Sequence, residues 1–339
     1  MGRIAWLCYG TGVSLRAGRL PSLAPAASLL PAEAAQLVRN ESAADMCGAR
    51  VSWNRREMRR FARRPSMAME MLNDVMTSTY LARIGWEGDA PVTRKTLDGL
   101  VYAHQCSVPF ETADLVALGE TPSLEMSDLY QKIVVDRHGG FCFELNKMFE
   151  LLLRSVGFEV RPCLSRAVRG REGRMPINHR GTLVSLDGEL LSVDVGFGGP
   201  LPAGSLVICD EREQTIRGEV YIPRRIDEHW WAIDRISQAK RDLYGDEGPS
   251  RRQTELEFCL ATVEDIDFTA LSFACSQPGT VFRDTVMANI RTASGFKSIS
   301  RGVLNVRESG ASEKTPLEDD FAVSAALREH FGFTPYCAR

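Results

Sequence analysis

A cysteine that follows two glycines and opens an amphipathic helix is the residue of this chain best placed to do chemistry. In Arg137-His138-Gly139-Gly140-Phe141-Cys142-Phe143-Glu144-Leu145-Asn146 and the residues after it, Leu145, Met148, Phe149, Leu152, Leu153 and Val156 recur at helical spacing, and Gly157 ends the run. Backbone N–H groups at a helix start lack intrahelical partners and carry the positive end of the dipole. A thiolate at Cys142 is stabilised there, which makes the residue a candidate nucleophile. A free cysteine is as often a small buried hydrophobe, and Cys142 alone does not separate the two readings.

A nucleophilic thiol needs a base, and the base needs a group that fixes its tautomer. Downstream, Asp187-Gly188 lies between two apolar-rich runs, the strongest short signal for a β-hairpin. With those two residues as the turn, Leu186 pairs with Glu189, and paired positions sum to 375 along the ladder. His179 then stands opposite Gly196 and Asp194 opposite Gly181. The two side chains leave the same face as diagonal neighbours, roughly 7–8 Å apart, within reach of an imidazole and a carboxylate. Cys142, His179 and Asp194 therefore form a candidate nucleophile, base and orienter.

These motifs resemble the arylamine N-acetyltransferase family. The His138-to-Asn146 run, His179 and Asp194-Val195-Gly196-Phe197-Gly198 follow its Cys–His–Asp order. Upstream, His104 and Val108-Pro109-Phe110-Glu111 with Asp114-Leu115 are similar to its Pro-Phe-Glu-Asn segment. Downstream, Glu264-Asp265-Ile266-Asp267-Phe268 through Ser276, Pro278 and Phe282 is similar to the stretch joining its second and third domains. The resemblance covers about Leu72 to Phe333. It implies Cys142 as the acetyl-accepting nucleophile, His179 as its base and Asp194 as the residue holding His179. Two positions depart from the family pattern. His138 stands where the family has the arginine associated with the glutamate equivalent to Glu111, so either Arg137 supplies the charge from a shifted position or His138 makes a neutral or titrating contact. His138 is also an alternative base. Thr112 replaces an asparagine.

The elements that must position these residues are readable in outline. Leu97, Leu100, Val101 and His104 share one helical face and Leu129, Ile133 and Val134 another, before the Cys142 helix. Short apolar runs follow, over 158–168, the Asp187-Gly188 hairpin, 205–209, 219–222 and 230–233, and they predict a small antiparallel barrel or sheet. Residues 296–306 are strand-like and 319–331 helical. Trp230 and Trp231 are read as sheet packing. The architecture that the resemblance implies is the same: an α+β fold with a cysteine-protease/transglutaminase-like core. It has a helical bundle with the nucleophile over 72–157, an antiparallel β-barrel with His179 and Asp194 over 158–265, an interdomain segment over 266–283 and an α/β lid over 284–339.

Composition fits an intracellular, cytoplasmic enzyme. The 339 residues are 44% hydrophobic and 25% charged, enough for two or three packed units. Nine cysteines form no Cys-x-x-Cys pair, an odd count that argues for reduced thiols. Five histidines outside any Cys/His cluster give no zinc site. No run approaches a membrane span, and a net charge of −3 gives no reason to expect nucleic acid. Residues 1–66 differ sharply, with eleven arginines, no lysine and four acids. They are either a basic targeting or interaction arm or an extension ahead of a start at Met67, Met69, Met71 or Met76, and in either case the composition predicts disorder.

Phe110 and Phe197 lie beside the motif residues and are candidate aromatic walls for a flat arylamine or hydrazine acceptor, with core packing as the alternative. Gly198 and Gly199 are candidates for backbone approach to the pyrophosphate of coenzyme A. The implied chemistry is ping-pong acetyl transfer from acetyl-CoA, without a metal, through an acetyl-cysteine. The rivals are a hydrolase using the same triad, a macrocycle-forming amide synthase of the same fold, and an inactive binding module.

Overall fold

Residues 70–199, 201–237 and 250–336 are described by the computed structural model, so the basic segment 1–66 and its expected disorder lie outside the described residues. Asn73 caps α1 (Asp74–Arg83) by accepting the N–H of Met76, and Thr93 caps α2 (Arg94–Ser107) by accepting that of Thr96. The face of α2 marked by Leu97, Leu100, Val101 and His104 is buried throughout. A short strand β1 (Phe110–Glu111) and helices α3 (Ala113–Leu118) and α4 (Met126–Tyr130) follow. Beyond α4 the chain widens into a π-helical turn, Gln131–Val135, which periodicity alone did not predict. It keeps Ile133 and Val134 in the core.

The helix α5 (Cys142–Ser155) is buried from Cys142 to Leu153. Glu144 folds back to accept the N–H of Phe141 at 3.0 Å, satisfying one of the donors at the helix start. Leu145, Met148, Phe149 and Leu152 are fully enclosed, each contributing about 1.5–3 kcal/mol by burial. Gly157 ends the helix at φ +102°.

Eight antiparallel strands then form one sheet: β2 (Glu159–Ala167), β3 (His179–Leu186), β4 (Glu189–Val193), β5 (Leu206–Val207), β6 (Gln214–Ile216), β7 (Glu219–Arg225), β8 (Trp230–Ser237) and β9 (Arg251–Cys259), in spatial order β5-β4-β3-β2-β9-β8-β7-β6. The Gln214 amide bridges its two edges, donating to the Val207 carbonyl at 2.8 Å and accepting the Val207 N–H at 3.0 Å, so the sheet becomes a nearly closed barrel. Strand alternation splits the core. Leu183, Tyr221, Trp231, Ile233, Leu256 and Phe258 pack in one cluster, whereas Val184, Leu186, Leu191 and Val193 turn onto α5. Trp230 takes the other face, beneath the Arg166 guanidinium.

A connecting stretch holds α6 (Asp267–Cys275) and α7 (Val281–Asp284). The second sheet runs β1, β10 (Ala288–Arg291), β11 (Gly295–Ser300), β12 (Val303–Glu308), β13 (Ala311–Pro316), and α8 (Asp320–Phe331), capped by Asp319, packs beside it. Residues 296–306, read as one strand-like run, are a hairpin: Arg301 (φ +52°) and Gly302 (φ +71°) make a tight turn whose arginine gives no turn signal. Thr112, the replacement for the family's asparagine, donates to the Thr285 carbonyl at 2.8 Å and accepts the Met287 N–H at 2.9 Å, tying β1 to the approach of β10. Among the described residues, Cys106, Cys142, Cys163, Cys259 and Cys275 carry free thiols. Among the described residues no helix is long and apolar enough to cross a membrane.

Candidate active site

Cys142 occupies the first position of α5, buried, with Sγ 3.7 Å from the Asn178 carbonyl oxygen, the residue before His179. The chain leaving β4 closes on the same point. A methyl group on Gly196 would lie 3.0 Å from the Cys142 Cα and 3.1 Å from its carbonyl oxygen, so only glycine admits this approach. The sequence reading of a thiolate stabilised at an open helix start is corrected here. Burial pushes the Cys142 thiol well above its ordinary value, Cys275 and Asp194 add to that, and interactions with the Arg180 and Phe143 backbone oppose it only in part. The helix start is enclosed, so desolvation outweighs the dipole, and ionisation requires a neighbouring proton acceptor.

That neighbour is placed by the hairpin. The observed pairs run from Leu186↔Glu189 to Thr182↔Val193, the register read from the sequence, with Asp187 (φ +51°) and Gly188 (φ +80°) at the turn. His179 opens β3, and Asp194 directly follows β4. Their buried side chains meet, Nε2 to Oδ2, at 2.5 Å. The contact with Asp194 is made by Nε2 and not by Nδ1.

Asp194 is held on its other oxygen as well. Oδ1 accepts the Gly196 N–H at 2.9 Å and an Asn146 Nδ2 hydrogen at 3.0 Å. Asn146 also donates to the Arg180 carbonyl at 2.5 Å and accepts the Val195 N–H at 2.9 Å, so one amide locks the ends of β3 and β4 to α5. Sequence reasoning did not single out Asn146. Its spacing of four residues from Cys142, which puts both on one helix face, was the available signal. Arg180 strengthens the same junction: buried, it pairs with Glu150 of α5 and with Asp265, both at 2.7 Å.

Phe110 and Phe197 line one cavity with Val108, Arg291 and Phe296. The Phe197 ring meets His179 edge-on at 5.5 Å. Gly198 and Gly199 border this cavity too, but the space a side chain would fill is taken. The Phe110 ring lies 2.6 Å from a Cβ built on Gly198, and the Arg169 guanidinium 2.8 Å from one on Gly199. Among the described residues no cluster of three or more histidine, cysteine, aspartate or glutamate side chains is arranged to hold a metal.

Beneath α5 lies a buried ionic cluster. His138 donates from Nδ1 to Asp114 Oδ2 at 2.8 Å, and its ring stacks on Tyr336 at 4.2 Å. Arg137 is exposed. The ammonium beside Glu111 comes instead from Lys132, on the π-helical turn.

A sequence profile described as N-acetyltransferase matches residues 93–334. An arylamine N-acetyltransferase of Escherichia coli is 38% identical over 168 residues, 46% of this chain and 59% of the relative, so the chain spans less than two-thirds of that relative's length. An arylamine N-acetyltransferase of Mycobacterium tuberculosis is 30% identical over 263 residues, 75% of this chain and 88% of the relative. The structure of Mycobacterium marinum arylamine N-acetyltransferase in complex with CoA superposes with a TM-score of 0.67 at 27% identity, covering 76% of this chain and 92% of that one. On the extent of these matches, and with a buried Cys-His-Asp arrangement between a helix start and a β-hairpin, the chain belongs to the arylamine N-acetyltransferase family.

Proposed function

We propose that the protein transfers an acetyl group from acetyl-CoA to an arylamine or hydrazine by a ping-pong route through acetyl-Cys142. The observation that carries this is the convergence on one point of the Cys142 thiol, the Asn178-His179 strand start and the 2.5 Å His179–Asp194 contact. His179 takes the proton of the Cys142 thiol, which burial pushes well above its ordinary value, and the thiolate–imidazolium pair so formed attacks the thioester carbonyl. The carbon–sulfur bond to coenzyme A breaks, and the proton passes to the leaving thiolate. Exchange of one thioester for another is nearly isoenergetic, so the enzyme need only lower the barrier. The acceptor nitrogen then attacks acetyl-Cys142, loses a proton to His179 and leaves as the amide, returning the thiol. Asp194 holds the His179 ring and balances the imidazolium in each half-reaction.

Phe110 and Phe197 are the walls for a flat acceptor, and Gly198 and Gly199 border the same cavity on the donor's path. The M. marinum relative's complex with CoA supports the donor assignment. The setting is cytoplasmic, with small molecules as the partners and no part for nucleic acid or a membrane. Intact-protein mass spectrometry after incubation with acetyl-CoA tests the reading. A single acetyl adduct that maps to Cys142, is absent from Cys142→Ala and is discharged by an arylamine is expected. An unmodified wild-type protein would overturn the transferase and leave a hydrolase or a binding module.

A further inference from the structure

The nucleophile helix rests on carboxylates that need a cation, and Lys132 is placed to supply it. Glu111, Asp114 and Glu144 come from β1, α3 and α5, with side-chain exposures of 0, 3 and 3%. Lys132 Nζ lies 3.2 Å from Glu111 Oε1, 3.6 Å from Asp114 Oδ2 and 2.9 Å from Glu144 Oε1. Three buried acids this close repel one another strongly without a counter-charge. Each acid also accepts a backbone N–H, the one taken by Glu144 lying next to the nucleophile. Glu144 Oε2 accepts the N–H of Phe141, the residue before Cys142, at 3.0 Å, and Glu111 Oε2 accepts the Asp114 N–H at 3.0 Å. The Glu111 N–H donates to the Gly140 carbonyl at 2.9 Å. Asp114 Oδ1 accepts the Tyr336 N–H at 2.9 Å.

We propose that Lys132 is the positioning residue for the nucleophile: from the π-helical turn it supplies the counter-charge for Glu111, Asp114 and Glu144, and it fixes the first turn of α5 through Glu144. The π turn is what makes this possible. Its extra residue keeps Ile133 and Val134 in the core while Lys132, next to them in sequence, reaches the carboxylates. His138 is thereby released to Asp114 and to its stack on Tyr336. Burial opposes the charge on Lys132, but Glu144, Glu111 and Asp114 together raise its affinity for the proton, so it remains an ammonium.

The test rests on the reading of Cys142 as nucleophile, but its first measurement needs neither substrate. The rate of Cys142 alkylation by iodoacetamide is followed against pH for wild type, Lys132→Gln and the charge-swapped Lys132→Gln/His138→Arg. Cys275 and Asp194 act on the thiol directly, whereas Lys132 acts on it through Glu144 and the first turn of α5. Removing the ammonium leaves the acids uncompensated. Alkylation at pH 7 should fall about tenfold, and its profile should move to higher pH by roughly one unit. In acetyl transfer, kcat should fall about tenfold, while KM for acetyl-CoA changes by less than about threefold. Charge swapping should restore both. An unchanged profile in Lys132→Gln overturns the proposal, as does a swapped variant no better than the single one. If Lys132→Gln fails to fold, the swapped variant decides: regained folding and alkylation support the assignment, and a second failure refutes it. A wild type that alkylates normally but forms no acetyl adduct would refute the transferase reading instead.

Discussion

At the scale of single residues, Asp194 has no free valence: His179 takes one oxygen, and Asn146 with the Gly196 N–H takes the other. Asp194→Asn keeps the shape but presents an amide to Nε2, favouring the wrong tautomer and leaving the imidazolium uncompensated. Turnover should fall on the order of 10⁴-fold with little change in acetyl-CoA binding. A near-normal rate in steady-state assays would remove Asp194 from the mechanism. Asn146→Ala should be milder. Asp194 keeps His179, but the Val195 N–H loses its partner and the carboxylate loses a brace, so kcat should drop about tenfold to hundredfold. Thermal unfolding should report a cost of about 1–3 kcal/mol from the buried groups left unpaired. The positions of Cys142, His179 and Asp194 were readable because each sits beside a local signal, a glycine pair or a two-residue turn. Asn146 was less so, since its partners are 34 and 48 positions away in the chain and the local signal is only its four-residue spacing from Cys142.

At the scale of elements, the hairpin and the π-helical turn show what is readable and what is not. The β3–β4 register follows from a dipeptide because Asp187 and Gly188 both take positive φ, the geometry that matches strand twist, and every side chain on the ladder then has a fixed face. Gly188→Val should therefore cost about 1–2 kcal/mol in chemical denaturation, since a β-branched residue at φ +80° is strained and open space around the site rules out a steric clash. Activity per folded molecule should persist, and a loss of turnover without a loss of stability would mean the turn does more than set register. By contrast, Gln131–Val135 depends on one extra residue accommodated by packing on both sides, and the apolar pattern of Ile133 and Val134 is compatible with either helix type. That is why the cation for Glu111 was sought at Arg137 or His138 and found on Lys132. The barrel was readable as strands, but its closure was not, because Gln214 reaches Val207 through a side chain that mimics a strand edge.

At the scale of the whole molecule, buried ionisable groups couple the helical layer to the barrel and set how the fold responds to acid. Arg180 holds Asp265 charged against the cost of its burial, and His138 with Lys132 does the same for Asp114, so both lose stabilising charge only as pH falls below the ordinary aspartate range. Glu111 runs the other way, since burial raises it against the opposing pull of Lys132. His104 acts in a separate window. It sits fully buried on α2, with Nε2 2.8 Å from the Tyr80 hydroxyl, and burial pushes it down to about 3, with Arg83 adding to the shift. Below about 6.5 the unfolded chain binds a proton on this histidine that the folded protein refuses until about 3, so its contribution is complete above that range and is lost as pH falls through it. Between pH 7 and pH 5 this amounts to about 2 kcal/mol, in an interval where Asp114 and Asp265 barely titrate. His104→Gln keeps a partner for Tyr80 but cannot take up the proton. Urea unfolding of both proteins at the two pH values isolates the effect, because Glu111 and the other histidines are common to both. The wild type should lose about 2 kcal/mol more than the variant on acidification, whatever the variant's stability at pH 7. A stability difference that stays constant across the interval would show that His104 is protonated, or hydrated, inside the fold, and that the helical layer around Tyr80 opens well before the rest of the molecule unfolds.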